Sequence, residues 1–314
     1  MRQTPFADRV PAHGAEMIHD QFHDLCVLLA GQIRTFQEND VRRALALVIQ
    51  QAVVFAHLSP EQTVASWHPA QVAHRVEGNS ISLSLIRDIR SEFQPRLLEV
   101  MTDEQVLASN RWGGHLIGDA GQWSILMLRW LLLFEVMVAD ERMHAYRFGN
   151  VLRMRPDALL MCTPSRQPVA MAPFDVLVAR DYAVLMVRDA AEIVLTAYLH
   201  ANRSAMCHIK FELCVPALAL TRGLAVGVMR PSAAVVRPAS FCNRSQSEKI
   251  GGAGGCGRAE LNKVLGLRGD GRAVRATTSL PACAGHSAPA WNMTARLLYW
   301  MSHRDDRTAS VTSR

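Results

Sequence analysis

The sequence predicts an α/β protein built on a mainly parallel sheet, and three observations carry that expectation. LCVLLAG (25–31) is a short apolar run ending on glycine, as a strand buried on both faces would read. ENDVRRALALVIQQA (38–52) follows with helical spacing and leads directly into a second apolar run, VVFAHLS (53–59). The same alternation of strand-like and helix-like stretches continues to residue 238, with no internal repeat.

Each element has its own local reason. In 38–52, Val41, Leu45 and Val48 share a helical face, and Asn39 or Asp40 is the expected cap. The two flanking strands then form a βαβ unit, whose right-handed crossover makes them parallel. SISLSLIRDIRSEF (80–93) reads as a helix with Ile81, Leu85, Ile86 and Ile89 on one side, stopped by Pro95. RLLEVM (96–101) is a third strand, RWGGHLIGDAG (111–121) a polar linker, and 122–143 a long helix. VLRMR (151–155) is the next strand. A proline-containing loop, a strand VLMVR (184–188) and a helix over 189–201 follow. FELCVPALALTRG (211–223) reads as helical, with Gly223 as C-cap and Pro216 in its first turns or breaking it in two. LAVGVM (224–229) and AAVVRP (233–238) are the last apolar runs.

Residues 1–20 are polar and read as a loose leader, 21–243 as the α/β domain, and 244–314 as a basic, glycine-rich tail with little periodicity and little expected structure. MTARLLYWMSHR (293–304) is the tail's one helical candidate. The net charge of +6 belongs to that tail: residues 1–243 carry 23 Lys+Arg against 23 Asp+Glu, and residues 244–314 carry 11 against 5. Charge therefore says little about the body's ligand, and no specific nucleic-acid partner is expected. The seven cysteines contain no CxxC pair and lie mostly in apolar surroundings, which predicts buried free thiols. Sequons at Asn202, Asn243 and Asn292 matter only in a secretory compartment. WSILMLRWLLLFEVMV (123–138) is interrupted by Arg129 and Glu135, so it reads as a buried helix and no transmembrane segment is expected. With no signal-like start either, a cytoplasmic or membrane-peripheral setting is expected over secretion.

Ligands of parallel α/β sheets gather outside the carboxyl ends of the strands. There, Gly31 allows close approach to the backbone, and Arg34 offers a guanidinium fork for a phosphate; alternatively, Gly31 only turns the chain and Arg34 is solvated. In VLRMRPDALL (151–160), Arg153 and Arg155 share a strand face and Pro156 ends the strand, which brings Asp157 to its carboxyl end. Asp157 can hold a divalent cation against a diphosphate or accept from a ribose hydroxyl, with the arginines neutralising phosphate. A buried Arg–Asp structural pair is the competing reading. Asp181 precedes an apolar strand that Arg188 ends, with Asp189 as the expected cap of the next helix, and Glu212 opens another helix. His19 and His23 have helical metal-ligand spacing but lie in the leader, and no GxSxG, GxGxxG or Walker A pattern occurs.

Taken in order, CVLLAGQIRTF, VVFAHLS, GQW (121–123), VLRMRPDALL, DYAVLMVRDAA, FELCVPALALTRGLAV and VVRP resemble a family of glycosyltransferases with a GT-A-like fold. Its relatives occur among bacterial capsule and lipopolysaccharide enzymes and among plant and algal proteins. The resemblance spans about residues 24–238, and Arg-x-Arg-Pro-Asp is its most specific motif. It implies a Rossmann-like sheet of the nucleotide-diphosphosugar transferase type. It also implies transfer of a sugar from a nucleotide-diphosphosugar to a hydroxyl of a carbohydrate or glycoconjugate, in polysaccharide biosynthesis. By this resemblance Gly31, Gln32 and Arg34 lie near the nucleotide, and Arg153, Arg155 and Asp157 flank the sugar diphosphate. Asp157 would then hold Mn²⁺ or Mg²⁺. Asp181, Arg188 and Glu212 line or support the acceptor side, with Asp181 or Glu212 as the base. Arg155 stands where many GT-A enzymes place the first Asp of Asp-x-Asp, and Val53 where this family tends to have Asp. Both departures favour the alternative of a non-catalytic, nucleotide-binding relative.

Overall fold

The computed structural model describes residues 24–50, 52–60, 62–63, 75–76, 81–109, 122–164, 171–179, 182–201, 211–230, 233–236, 261–262, 264–265 and 280–286. The leader, the 111–121 linker, the three sequons and the 293–304 candidate helix lie outside them. Strand β1 (Leu25–Gln32) is buried along nearly its whole length because both of its faces are covered. Cys26, Leu28 and Ala30 face one apolar layer, and Val27 and Leu29 face the other. Helix α1 (Asn39–Val48) returns the chain to β2 (Val53–Ser59), which pairs in parallel with β1 from Cys26↔Val53 to Gln32↔Ser59. This is the expected βαβ unit. Its cap is Glu38, however, not Asn39 or Asp40: a 3-10 turn, Arg34–Gln37, runs into the helix and Glu38 N–H donates to the Thr35 carbonyl.

A short hairpin of β3 (Gln62–Thr63) and β4 (Arg75–Val76) precedes α2 (Leu83–Phe93), which is capped by Ser82 and ends on Gln94 in the left-handed conformation, one residue before Pro95. Strand β5 (Leu97–Val100) pairs in parallel with β2. Helix α3 (Asp103–Ala108) was not expected, although Thr102 and Gln105 form a capping box that is legible as T-x-x-Q. Helix α4 (Gln122–His144) packs Met127, Trp130, Leu133, Phe134 and Met137 on the sheet. Among the described residues no helix is long and apolar enough to cross a membrane.

Strand β6 (Asn150–Met154) returns to the middle and pairs in parallel with β1 on the side away from β2. Beyond it the sheet is mixed. FDVLVAR contains an unexpected strand, β8 (Val176–Ala179), which forms a hairpin with β9 (Ala183–Val187). β9 runs antiparallel to both β8 and β6. Helix α5 (Arg188–Ala201) starts on Arg188, so Asp189 lies inside its first turn and does not cap it. Helix α6 (Phe211–Thr221) runs through Pro216 unbroken, and Gly223 at φ +77° closes it, as expected. Strand β10 (Val226–Arg230) pairs in parallel with β8. AAVVRP supplies β11 (Ala233–Val235), which leaves the main sheet to pair with β7 (Ala158–Leu160).

The tail contributes structure of its own. Strand β12 (Ala284–His286) pairs antiparallel with β10, giving the order β12-β10-β8-β9-β6-β1-β2-β5. Cys283 is disulfide-bonded to Cys162 across 121 residues. The expectation of free thiols thus fails for this pair and holds for Cys26, whose thiol burial pushes well above its usual pKa. Fold class is therefore α/β as expected, with a parallel core and a mixed flank.

Phe174 explains two glycines. A Cβ on Gly227 would lie 2.8 Å from its ring, and one on Gly285 would lie 2.7 Å from Leu177 and closer still to Phe174. Gly285→Val should therefore lower stability by about 1–3 kcal/mol through overpacking. The cost should shrink in a Phe174→Ala background, and urea unfolding of the single and double variants checks this.

Candidate functional site

From β1 the chain moves outward to β2 and β5, then returns to β6 on the other side of β1. The carboxyl ends of β1 and β6 therefore flank a topological switch point, where open α/β sheets place their ligands. Gly31 and Gln32 end β1, and Arg155, Pro156 and Asp157 follow β6. The two turns touch. Gly31 sits at φ +135°, and a Cβ there would lie 3.3 Å from the Pro156 ring and 3.6 Å from Leu126. Its lack of a side chain is thus used by the protein's own packing, and any other residue there would be strained.

Three hydrogen bonds tie the segments of the mouth together. Ile33 N–H donates to the Ser59 carbonyl. The Thr35 hydroxyl donates to the Val236 carbonyl at 2.9 Å, and Val236 N–H donates to the Asp157 carbonyl at 2.9 Å. Buried Arg42 binds the Gln37 carbonyl at 2.7 Å and Glu92 at 2.9 Å, which anchors the 34–37 turn to α1 and α2. Arg34 belongs to that turn by its backbone, and its side chain lies outside the description.

Arg155 and Asp157 form a bidentate pair: Nε donates to Oδ1 at 2.9 Å and Nη2 to Oδ2 at 2.7 Å. The Asp157 side chain is 2% exposed and the Arg155 side chain 13% exposed, so the buried Arg–Asp pair, the competing reading of the sequence, is the arrangement found. The two groups lie two residues apart across the Pro156 turn, which lets the fork close on the carboxylate. Residues 155–157 do not fit a metal centre, because Arg155 engages both Asp157 oxygens. Among the described residues no cluster of three His, Cys, Asp or Glu side chains could hold a metal ion.

Arg153 is not at the mouth. It shares the strand parity of Arg155, as expected, but sits lower, fully buried beneath α4 with its guanidinium 3.6 Å from the centre of the Trp130 ring. Arg188 lies at the opposite end of the strands from the mouth. Because β9 is antiparallel, its end meets the start of β6 (Val187↔Asn150), and Arg188 N–H donates to the Gly149 carbonyl. Its guanidinium binds Glu141 at 2.8 Å and Glu192 at 3.1 Å. The expectation that it lines the ligand assumed a parallel strand and is corrected.

The same reversal brings Tyr182, just before β9, to the mouth. Ala183 pairs with Met154, and Arg155 N–H donates to the Tyr182 carbonyl at 3.0 Å. The Tyr182 ring lies 5.6 Å from the Arg155 guanidinium. Asp181, the neighbour of Tyr182, lies outside the described residues. Glu212 stands in the first turn of α6, and its side chain also lies outside them.

One cluster escaped the sequence reading. At the carboxyl ends of β2 and β5, Arg129 donates to His57 Nδ1 at 2.7 Å, to the Met101 carbonyl at 2.9 Å and to Asp103 at 2.7 Å. Because Arg129 is always a donor, His57 carries its proton on Nε2, which faces Glu99 at 3.6 Å. Burial, and then Arg129, lower the His57 pKa to about 4. The available signal was Arg129 itself, since a cation in an apolar helix needs buried partners. The chain matches no protein-family model and no curated protein at a significant level.

Proposed function

We propose that the protein is a glycosyltransferase that moves a sugar from a nucleotide-diphosphosugar to a hydroxyl acceptor, with the donor bound at the β1–β6 mouth. One observation supports it above the others: the Gly-Gln-Ile-Arg and Arg-Pro-Asp turns, which carry the motif resemblance, abut at the switch point of the sheet. In this reading Arg155 is the cation that meets the diphosphate. Asp157 holds its fork in one orientation, so the charge that develops on the leaving group meets a preorganised donor. Arg34 is the second cation. An inverting route also needs a carboxylate to take the acceptor proton, and Asp181, the sequence neighbour of Tyr182, and Glu212 are the candidates. No step runs through a metal ion.

The burial of Asp157 favours a second reading, in which the same mouth binds a nucleotide without turnover. Thermal shift of the full chain with a panel of nucleotides and nucleotide sugars, with and without Mn²⁺, separates the two when paired with an assay for released nucleoside diphosphate. A donor at a hundred times its Kd should stabilise the protein by about 2.7 kcal/mol, a shift of several degrees. Asp181→Asn should keep that shift and lose release. Asp157→Asn should weaken both tenfold or more, because it unlocks Arg155. A shift without release selects the second reading, and no shift with any nucleotide overturns both.

A further inference from the structure

We propose that residues 280–286 form an oxidation-dependent clasp, so that the closed sheet edge is completed by a thiol–disulfide oxidant. The inference is independent of the ligand bound at the mouth. Cys162 lies five residues after Asp157, just past β7, and Cys283 lies just before β12. Around the bond, Thr163 N–H donates to the Pro281 carbonyl at 2.8 Å and Cys283 N–H to the Thr163 carbonyl at 2.9 Å. Beyond it, β12 adds three residues to the β10 edge, with Gly285 seated over Phe174 and Leu177. The crosslink therefore joins the strand leaving the Arg155-Pro156-Asp157 turn to the outermost strand of the sheet.

Without the bond, this strap has little to hold it. The strap docks after the 43 residues that separate Val236 from Leu280, and closing that span costs chain entropy. The return is a three-residue edge strand, two backbone bonds, a half-buried Leu280 and the seat of Gly285 on Phe174, and strands this short depend on their context. The chemistry needs an acceptor for two electrons, which a small disulfide or a protein disulfide oxidase supplies. One thiolate, Cys283 or Cys162, attacks the oxidant's sulfur and expels a thiolate. The other then attacks the mixed disulfide, forming the Cys162–Cys283 bond and releasing the second thiol. Both cysteine protons leave, and the oxidant ends as two thiols. Such bonds persist in oxidising compartments and are rare in the cytosol. The clasp therefore argues for an oxidising compartment over the cytoplasmic or membrane-peripheral setting that the sequence suggested.

The test uses the full chain in graded glutathione buffers, with alkylation and non-reducing peptide mapping beside hydrogen exchange. Untreated protein should yield the linked Cys162–Cys283 peptide. Reduction should raise exchange at 284–286 about 100-fold or more and leave 25–32 in β1 within about twofold. The Cys162→Ser/Cys283→Ser double variant should show the reduced pattern in every buffer. Full alkylation of both cysteines in untreated protein would overturn the clasp. So would unchanged exchange at 284–286 after reduction. Loss of protection through β1 as well would also overturn it, because the bond would then staple the whole fold.

Discussion

Glu141→Ala should destabilise the protein by about 3–5 kcal/mol, the cost of stranding a buried cation. Both Glu141 oxygens accept from Arg188, with Nε at 2.9 Å and 3.2 Å and Nη2 at 2.8 Å, and Oε1 also accepts from Phe148 N–H at 3.0 Å. One carboxylate thus joins the end of α4, the turn into β6 and the start of α5. Burial works against the Arg188 charge, and the Glu141 and Glu192 carboxylates outweigh it, so its pKa is raised. Once Glu141 is gone, Arg188 keeps Glu192, whose side chain is 56% exposed and a weak substitute. Glu141→Gln should cost less, because it can still accept from Phe148. A Glu141→Leu/Arg188→Leu double variant should recover much of the loss, since an apolar pair of similar size leaves no stranded charge. Urea unfolding at pH 7 with an unchanged m-value reads all three. A loss below about 1 kcal/mol for Glu141→Ala would mean the pair does not hold these elements together.

The second large effect is at Arg129. Arg129→Met should cost about 3 kcal/mol or more, because Asp103 and buried His57 lose their shared donor together. The cluster also sets a pH dependence. The His57 pKa lies at about 4 in the fold, against an ordinary 6.5 in the unfolded chain. Above pH 6.5 neither state binds this proton and its contribution is complete. Between pH 6.5 and about 4 only the unfolded chain binds it, so stability falls as pH falls, by up to an order of 3 kcal/mol. His57→Asn retains an acceptor for Arg129 and removes the titration. The wild-type protein should therefore lose more stability than His57→Asn between pH 6.5 and 4.5, with the gap vanishing above pH 7. Parallel curves would show that His57 is not the titrating group. Arg129→Met should also raise the His57 pKa and narrow the window.

Much of the scaffold was legible locally. Strands β1, β2, β5, β6 and β10 and helices α1, α2, α4, α5 and α6 announce themselves through apolar runs, helical spacing and the stops at Pro95 and Gly223, all properties of neighbours in sequence. Strand β8 was hidden inside a proline-containing stretch, and α3 was short enough that only its cap was readable. At the site, the residue types were visible but their placement was only partly so. Asp157 was correctly brought to the end of β6, yet its capture by Arg155 is one of two arrangements the residues allow, and only packing selects between them.

The amino-acid sequence alone determined the α/β class, the central βαβ unit and the adjacency of the motif-bearing turns to strand ends, because these follow from side-chain period and turn chemistry within a few residues. Tertiary structure alone decided the direction of β9, and with it which end of the strands received Arg188 and which Tyr182. It also decided the partners of Arg129 and the joining of Cys162 to Cys283. A strand's alternation looks the same whichever way it runs, and a pairing across 121 residues leaves no trace in local spacing.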